Sequence, residues 1–238
     1  MIGTNAKSTA TEKKWYLRKV ISLLLKAVVI CFALAGTILS MQKGNDEFMG
    51  GATTLMYFTI QSNLAIALIC AVGMFFFLSS NIIPSWWYTV KYVGTIVITL
   101  TGAVFCFVLA PTMPDTAWVP ANIFTHVIVP ISSVIDFFII GVDSDIKKWK
   151  VIYVPLPPLA YVIFASVAFI NNWQFARGVN YPYFFLNWGS PAGVFGFSDE
   201  LPFMGCVWWI LLLLIALIFV GLLYLWILDG LKRLLKKQ

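Results

Sequence analysis

Charge is what this sequence has least of. Only 11% of its residues are charged, while 61% are hydrophobic; soluble domains carry roughly 25% charged residues. A water-soluble fold of this size cannot hide that much apolar surface, so the covering falls to lipid. Histidine is scarcer still, with one residue in the chain. That argues against a zinc site, which usually takes three or four protein ligands. No GxSxG elbow, HExxH or P-loop occurs, and no cofactor or metal is expected. Cys31, Cys70, Cys106 and Cys206 form no CxxC pair and lie in or beside apolar stretches. They read as small core residues rather than disulfides or ligands. No internal repeat is visible, and the apolar runs do not alternate with polar residues, which excludes a closed barrel.

What the chain does have is long apolar runs. A hydrocarbon core of about 30 Å needs about 20 residues of apolar helix. Six stretches qualify, at about 20–41, 52–78, 88–110, 121–141, 151–170 and 203–228. The expected fold is all-α, one domain over 1–238, a polytopic bundle of six transmembrane helices. The first apolar run continues past Ala33-Leu34-Ala35, which favours a retained span over a cleaved signal peptide.

The net charge of +6 does not point to nucleic acid, because the basic residues gather at the chain ends and in short loops. Lys7, Lys13, Lys14, Arg18 and Lys19 precede the first span. Lys91 lies at the margin of the second loop, and Lys147, Lys148 and Lys150 fill the fourth. Lys232, Arg233, Lys236 and Lys237 follow the last span. The loops on the opposite side hold Lys43 and Arg177 alone. The positive-inside rule then sets both termini on the cytoplasmic side, and the expected location is the plasma membrane. Lys26, near the cytoplasmic end of the first span, is expected to snorkel to the headgroups. Trp86, Trp87, Trp118, Trp149, Trp173, Trp208 and Trp209 stand near span ends, as interfacial anchors do.

Ionisable and polar groups inside spans are costly, and therefore mark candidate sites. The second span carries Tyr57-Phe58-Thr59-Ile60-Gln61-Ser62-Asn63-Leu64. Thr59, Ser62 and Asn63 fall at i, i+3 and i+4, so they share one helix face, expected to point into the bundle. The fourth span carries His126 and Asp136. Counted from the span ends, Thr59 lies about 11 Å and His126 about 9 Å from the outer surface, so the two share a layer. Pro130 withdraws the donor that the His126 carbonyl needs, and a kink is expected there. Asn122, one turn earlier, is placed to orient the imidazole. Asp136 is expected to pair with the basic fourth loop, with a proton-relay role as the other reading. Taken alone, Thr59, Ser62 and Asn63 equally suit hydrogen bonding within their own helix or between helices. The one long loop, about 171–202, either packs over the outer mouth of the bundle or serves as an anchored connector.

Three segments carry a resemblance to a known family. They are Tyr57-Phe58-Thr59 with Asn63-Leu64, His126-Val-Ile-Val-Pro130 leading to Asp136, and Tyr181-Pro182 followed by Tyr183, Phe184 and Phe185. In order and spacing the chain resembles bacterial members of the androgen-induced family of membrane proteins. Animal members of that family hydrolyse fatty-acid esters of hydroxy fatty acids. The resemblance implies an intramembrane threonine hydrolase with Thr59 as nucleophile and His126 as base. It departs from the animal pattern after the threonine, where Asn63 stands about one position displaced. At Asp136 animal members tend to carry a different acidic residue. Ser62, Asn63, Asn122 and Asp136 are supporting candidates, with Asn63 as a candidate oxyanion donor. The expected partners are membrane lipids or lipid esters. A non-catalytic lipid binder and a small-molecule transporter remain the alternatives. Only Pro155, Pro157 and Pro158 in the fifth span hint at the broken helices of a transporter.

The charge asymmetry makes a prediction. Reporter domains fused to either end are expected to be active only in their cytoplasmic form; a periplasmic or extracellular signal from either fusion overturns the assigned direction.

Overall fold

The computed structural model describes residues 2–79 and 82–236, with side chains from Glu12 onward. It is all-α, with six helical segments long and apolar enough to cross a membrane: Glu12–Met41, Phe58–Ser79, Ser85–Thr112, Pro120–Gly141, Lys148–Ile170 and Cys206–Lys236. The chain is a multi-pass membrane protein by that measure. Lys7 and Lys237, two of the basic residues counted above, lie outside the residues whose side chains are described.

Helix α1 spans Ile2–Met41, α2 Phe58–Ser79 and α3 Ser85–Val104. The fourth span is built from α4 (Pro120–Ile123), a wider π turn (Phe124–Ile128) and α5 (Val129–Gly141). Helices α6 (Leu156–Ile170) and α7 (Cys206–Lys236) complete the set. In lipid only intrahelical bonding satisfies the backbone, so runs of Leu, Ile, Val and Phe have little alternative to helix.

Helices α1, α2, α3 and α5 form the inner group, packing α1 on α2 and α5, α2 on α3, and α3 on α5. Helix α7 lies outside against α3. Helix α6 turns Tyr161, Ala165 and Ala168 into a cluster with Tyr57, Phe175, Tyr183 and Phe185. The long loop therefore packs onto the bundle end. Its 3₁₀ turn Phe184–Leu186 sits against α7.

The element boundaries correct several expectations. Gly51 has a positive φ of 57° and opens a 3₁₀ segment, Gly51–Met56, where the second span was expected to begin already as helix. Thr59 consequently lies in the first turn of α2. The prolines of the fifth span occupy its entry: Pro155 is the N-cap of α6, and Pro157 and Pro158 fall in its first turn. Proline is tolerated there because those backbone donors have no intrahelical acceptor. Ahead of these prolines the span Lys148–Ile170 begins as a 3₁₀ segment, Lys148–Tyr153, and α6 itself runs without interruption from Leu156 to Ile170.

The largest correction concerns charge. Asp136 does not reach the fourth loop. Its carboxylate is fully buried and receives Lys26 Nζ at 2.7 Å on one oxygen and Lys91 Nζ at 2.8 Å on the other. Ser22 Oγ donates to the same carboxylate and accepts from Lys26. Lys91 also donates to Ser133 Oγ at 3.3 Å. Lys26 thus does not snorkel, and Lys91 belongs to the bundle interior rather than a loop margin. The reason is mutual: a carboxylate without partners in the hydrocarbon region costs several kcal/mol, and each ammonium alone costs as much. Trp87 is likewise drawn inward. It is 1% exposed, its indole donates to the Ile69 carbonyl at 3.1 Å, and its ring lies 5.4 Å from Lys26 Nζ. Gly73 makes room, since a Cβ there would stand 2.3 Å from the Trp87 ring.

At this end of the bundle Arg18 pairs with Asp143 at 3.0 Å, and Lys232 donates to the Ser144 carbonyl at 2.6 Å. The start of the first span, the connection after α5 and the tail of α7 therefore lie together.

Asp136→Asn leaves two buried ammonium groups facing each other. It is expected to destabilise the fold by about 3–5 kcal/mol, read as a lowered unfolding midpoint in detergent; an unchanged midpoint would show that the ion cluster does not hold the bundle.

Candidate active site

The site is built where two helices are locally irregular. Pro130 lacks the N–H that an α-helix would present to the His126 carbonyl. The fourth span absorbs this by widening into the π turn Phe124–Ile128, in which the Val129 N–H bonds the Phe124 carbonyl. A second π turn, Phe105–Leu109, stands before Pro111 in the third span. The two turns face each other, and the Phe105 ring stacks on His126 with centroids 3.9 Å apart and planes 18° from parallel. Gly102 lets α3 approach, because a Cβ there would be 2.7 Å from the His126 carbonyl oxygen. The kink expected from Pro130 is therefore a π bulge, a feature that recurs at functional sites.

His126 Nε2 lies 3.3 Å from Thr59 Oγ1. Both residues are buried, at 3% and 4% exposure. The neighbours of the ring determine its tautomer. Nδ1 is 3.0 Å from the Asn122 carbonyl oxygen and 3.0 Å from Thr125 Oγ1. Thr125 donates its own hydroxyl hydrogen to the Ala121 carbonyl at 2.9 Å, so toward Nδ1 it offers a lone pair. Both partners are acceptors, and Nδ1 must carry the hydrogen. Nε2 is then left with a lone pair aimed at the threonine hydroxyl. Asn122 meets the ring through its backbone carbonyl, and its side-chain amide donates instead to the Ala117 carbonyl at 2.9 Å.

The polar face of α2 is buried. Ser62 Oγ donates to the Thr59 carbonyl at 2.9 Å and meets Thr101 Oγ1 of α3 at 2.9 Å. Asn63 Nδ2 donates to the Thr59 carbonyl at 2.8 Å and to the Thr125 carbonyl at 3.1 Å. Its amide hydrogens tie α2 to the π turn of the fourth span, so Asn63 has no hydrogen left for an oxyanion. Asp136 lies ten residues beyond His126, about 15 Å along the helix, and takes no part here.

One residue near the threonine was not singled out by sequence reasoning. Tyr183, from the long loop, places its hydroxyl 3.2 Å from the Thr59 amide nitrogen and 3.3 Å from Thr59 Oγ1. The first turn of a helix has backbone donors without intrahelical partners, and this phenol takes one of them. Burial pushes the Tyr183 phenol above its ordinary range, against the opposing effect of its hydrogen bonds at Thr59. The Tyr181-Pro182-Tyr183 segment was the available signal.

A cavity reaches each member of the pair. An apolar crevice of about 70 Å³ runs between the inner helices and α6 and α7; Thr59 and Tyr183 line it with Thr101, Pro158, Leu213 and Leu214. A more polar vestibule, lined by Ser40, Lys43, Glu47, Thr116 and Asn122, reaches His126. Among the described residues no cluster of three metal-ligating side chains occurs. No family model, curated protein or solved structure matches the chain.

The chain has one histidine, so ¹⁵N-histidine labelling reports His126 alone once any tag is removed. The spectrum is expected to show Nδ1 protonated and Nε2 bare at neutral pH; the opposite tautomer would leave Thr59 without a base.

Proposed function

We propose that this protein is an intramembrane lipid-ester hydrolase with Thr59 as nucleophile and His126 as general base. The observation that carries the reading is the Thr59 hydroxyl, 3.3 Å from an imidazole nitrogen whose tautomer makes it an acceptor. A hydroxyl becomes an effective nucleophile when an oriented base takes its proton. Here the orienting group is a pair of oxygen acceptors rather than a carboxylate, so the unit is a dyad.

The hydroxyl oxygen attacks the ester carbonyl carbon while its proton passes to Nε2. Collapse of the tetrahedral intermediate breaks the bond to the alcohol oxygen, which takes that proton, leaving acyl-Thr59. Water then repeats the sequence: Nε2 accepts its proton, the bond to Thr59 breaks, and Thr59 regains a hydrogen from the imidazolium.

The two cavities support a lipid substrate. An acyl chain lies in the apolar crevice with its ester at Thr59, and water and the alcohol product pass through the vestibule. Fatty-acid esters of hydroxy fatty acids are the substrate class that the resemblance to the androgen-induced family implies. The charge distribution supports a plasma-membrane protein with cytoplasmic termini, which sets the dyad in the outer leaflet.

The apolar crevice by itself equally suits a protein that binds lipid without chemistry. Labelling separates the two. Alkyl fluorophosphonate treatment of the purified protein is expected to give an adduct on Thr59 by mass spectrometry, lost in Thr59→Ala and reduced by about 10²-fold or more in His126→Ala. A folded wild type that forms no adduct sinks the hydrolase reading and leaves lipid binding in its place.

A further inference from the structure

Resting on the hydrolase reading, the dyad still lacks a group to stabilise the negative charge that forms on the carbonyl oxygen. Such donors contribute about 10²–10³-fold in rate where they have been removed. Asn63, the expected donor, has both amide hydrogens committed to carbonyls. No lysine or arginine touches Thr59 in the described hydrogen bonds and ion pairs. We propose that the Tyr183 hydroxyl is the oxyanion donor, polarised by the Thr59 N–H that bonds its oxygen.

The hydrogen-bond directions lead to this assignment. The Thr59 hydroxyl hydrogen points to His126 Nε2. The Thr59 amide donates to the Tyr183 oxygen at 3.2 Å. The remaining hydrogen, on Tyr183, is then directed at Thr59 Oγ1, 3.3 Å away. In the resting state the donor is thus held by the nucleophile. When Oγ1 gives its proton to Nε2 and bonds to the carbonyl carbon, it keeps two lone pairs but becomes an ether-type oxygen, a weaker acceptor than the oxyanion forming beside it. At that moment the C=O electron pair has moved onto the carbonyl oxygen, bonded to the same carbon. Rotation about the phenol C–O bond redirects the hydrogen to it. The interaction strengthens only as the transition state forms, which is the condition for catalysis rather than tighter substrate binding.

The rest of the surroundings suit a donor. The Tyr183 ring is stacked on Phe185 at 5.1 Å and 7°, and meets Tyr57 edge-on at 6.0 Å, so its position is fixed by packing. Burial keeps the phenol protonated. The Thr59 N–H lies in the first turn of the 22-residue helix α2, whose dipole favours negative charge at that end. Tyr183 also lines the acyl crevice, so an ester entering along it arrives with its carbonyl beside the phenol.

The test compares wild type with Tyr183→Phe, which keeps the ring and its stacking. Two ligands are used: an oleyl trifluoromethyl ketone, which forms a tetrahedral oxyanion adduct with the nucleophile, and the matching unreactive oleyl ether. Hydrolysis of 4-methylumbelliferyl oleate is expected to fall about 10²–10³-fold in the variant. Affinity for the ketone falls by a similar factor, while affinity for the ether is unchanged. Turnover near the wild-type level in Tyr183→Phe overturns the inference and leaves the hydrolase reading standing. Equal losses for ketone and ether mean a packing role and overturn it too. A wild type that neither hydrolyses the ester nor captures the ketone removes the hydrolase reading itself. As a variant that keeps the hydroxyl, 3,5-difluorotyrosine at position 183 is expected to bring the alkaline fall of turnover to lower pH, because the donor hydrogen is lost earlier; an unshifted profile overturns the inference.

Discussion

Everything in the inner bundle is tied to one carboxylate. Asp136 of α5 holds Lys26 of α1 and Lys91 of α3, and all three side chains are closed off from solvent and lipid. Coulomb attraction in a medium of low polarity is strong, and so is the cost of withdrawing any one partner. The cluster acts as a lock: the three helices keep their relative depth, because sliding one would strand a charge. Cys70, 3.4 Å from Lys91, and Phe77, 5.1 Å from Lys26, bring α2 against the same lock. With these four helices fixed at one end, the arrangement at the other end is set as well.

At that other end the polar groups differ in kind. They are neutral hydroxyls, an imidazole and backbone groups, linked in a directed chain from Tyr183 through Thr59 and His126 to the Thr125 hydroxyl and the Asn122 carbonyl. Each link uses a hydrogen that the next group is able to accept. Such a network tolerates burial because every member is paired. It also depends on irregular backbone: the first turn of α2 leaves the Thr59 N–H without an intrahelical acceptor, and the π turn around His126 answers to the missing donor of Pro130. The charged lock and the neutral network sit at opposite ends of the inner bundle, one tying helices by ion pairs and the other setting the Thr59 hydroxyl against the His126 ring.

The crevice follows from how loosely the outer helices are attached. Helices α6 and α7 flank the inner four rather than interleave with them, and the long loop closes the space above with aromatic rings.

The sequence by itself determined the six spans, their all-helical state and the inward face of Thr59, Ser62 and Asn63. Those properties follow from local hydrophobicity and helical period, which neighbouring residues encode. It also made the lone histidine and the threonine candidates, and the proline pointed to irregular helix beside them. What it misassigned were partners. Lys26 and Lys91 look like snorkelling or loop lysines, Trp87 like an interfacial anchor, and Asp136 like a mate for nearby loop lysines, because along the chain each sits near a span end. Only the tertiary structure decided that Lys26 and Asp136, 110 residues apart, share a bond. It alone set Thr59 within reach of His126, 67 residues away, and of Tyr183, 124 residues away. Which helix faces have to meet is a property of the whole bundle's packing in lipid, where long-range contacts that pair buried charges are favoured.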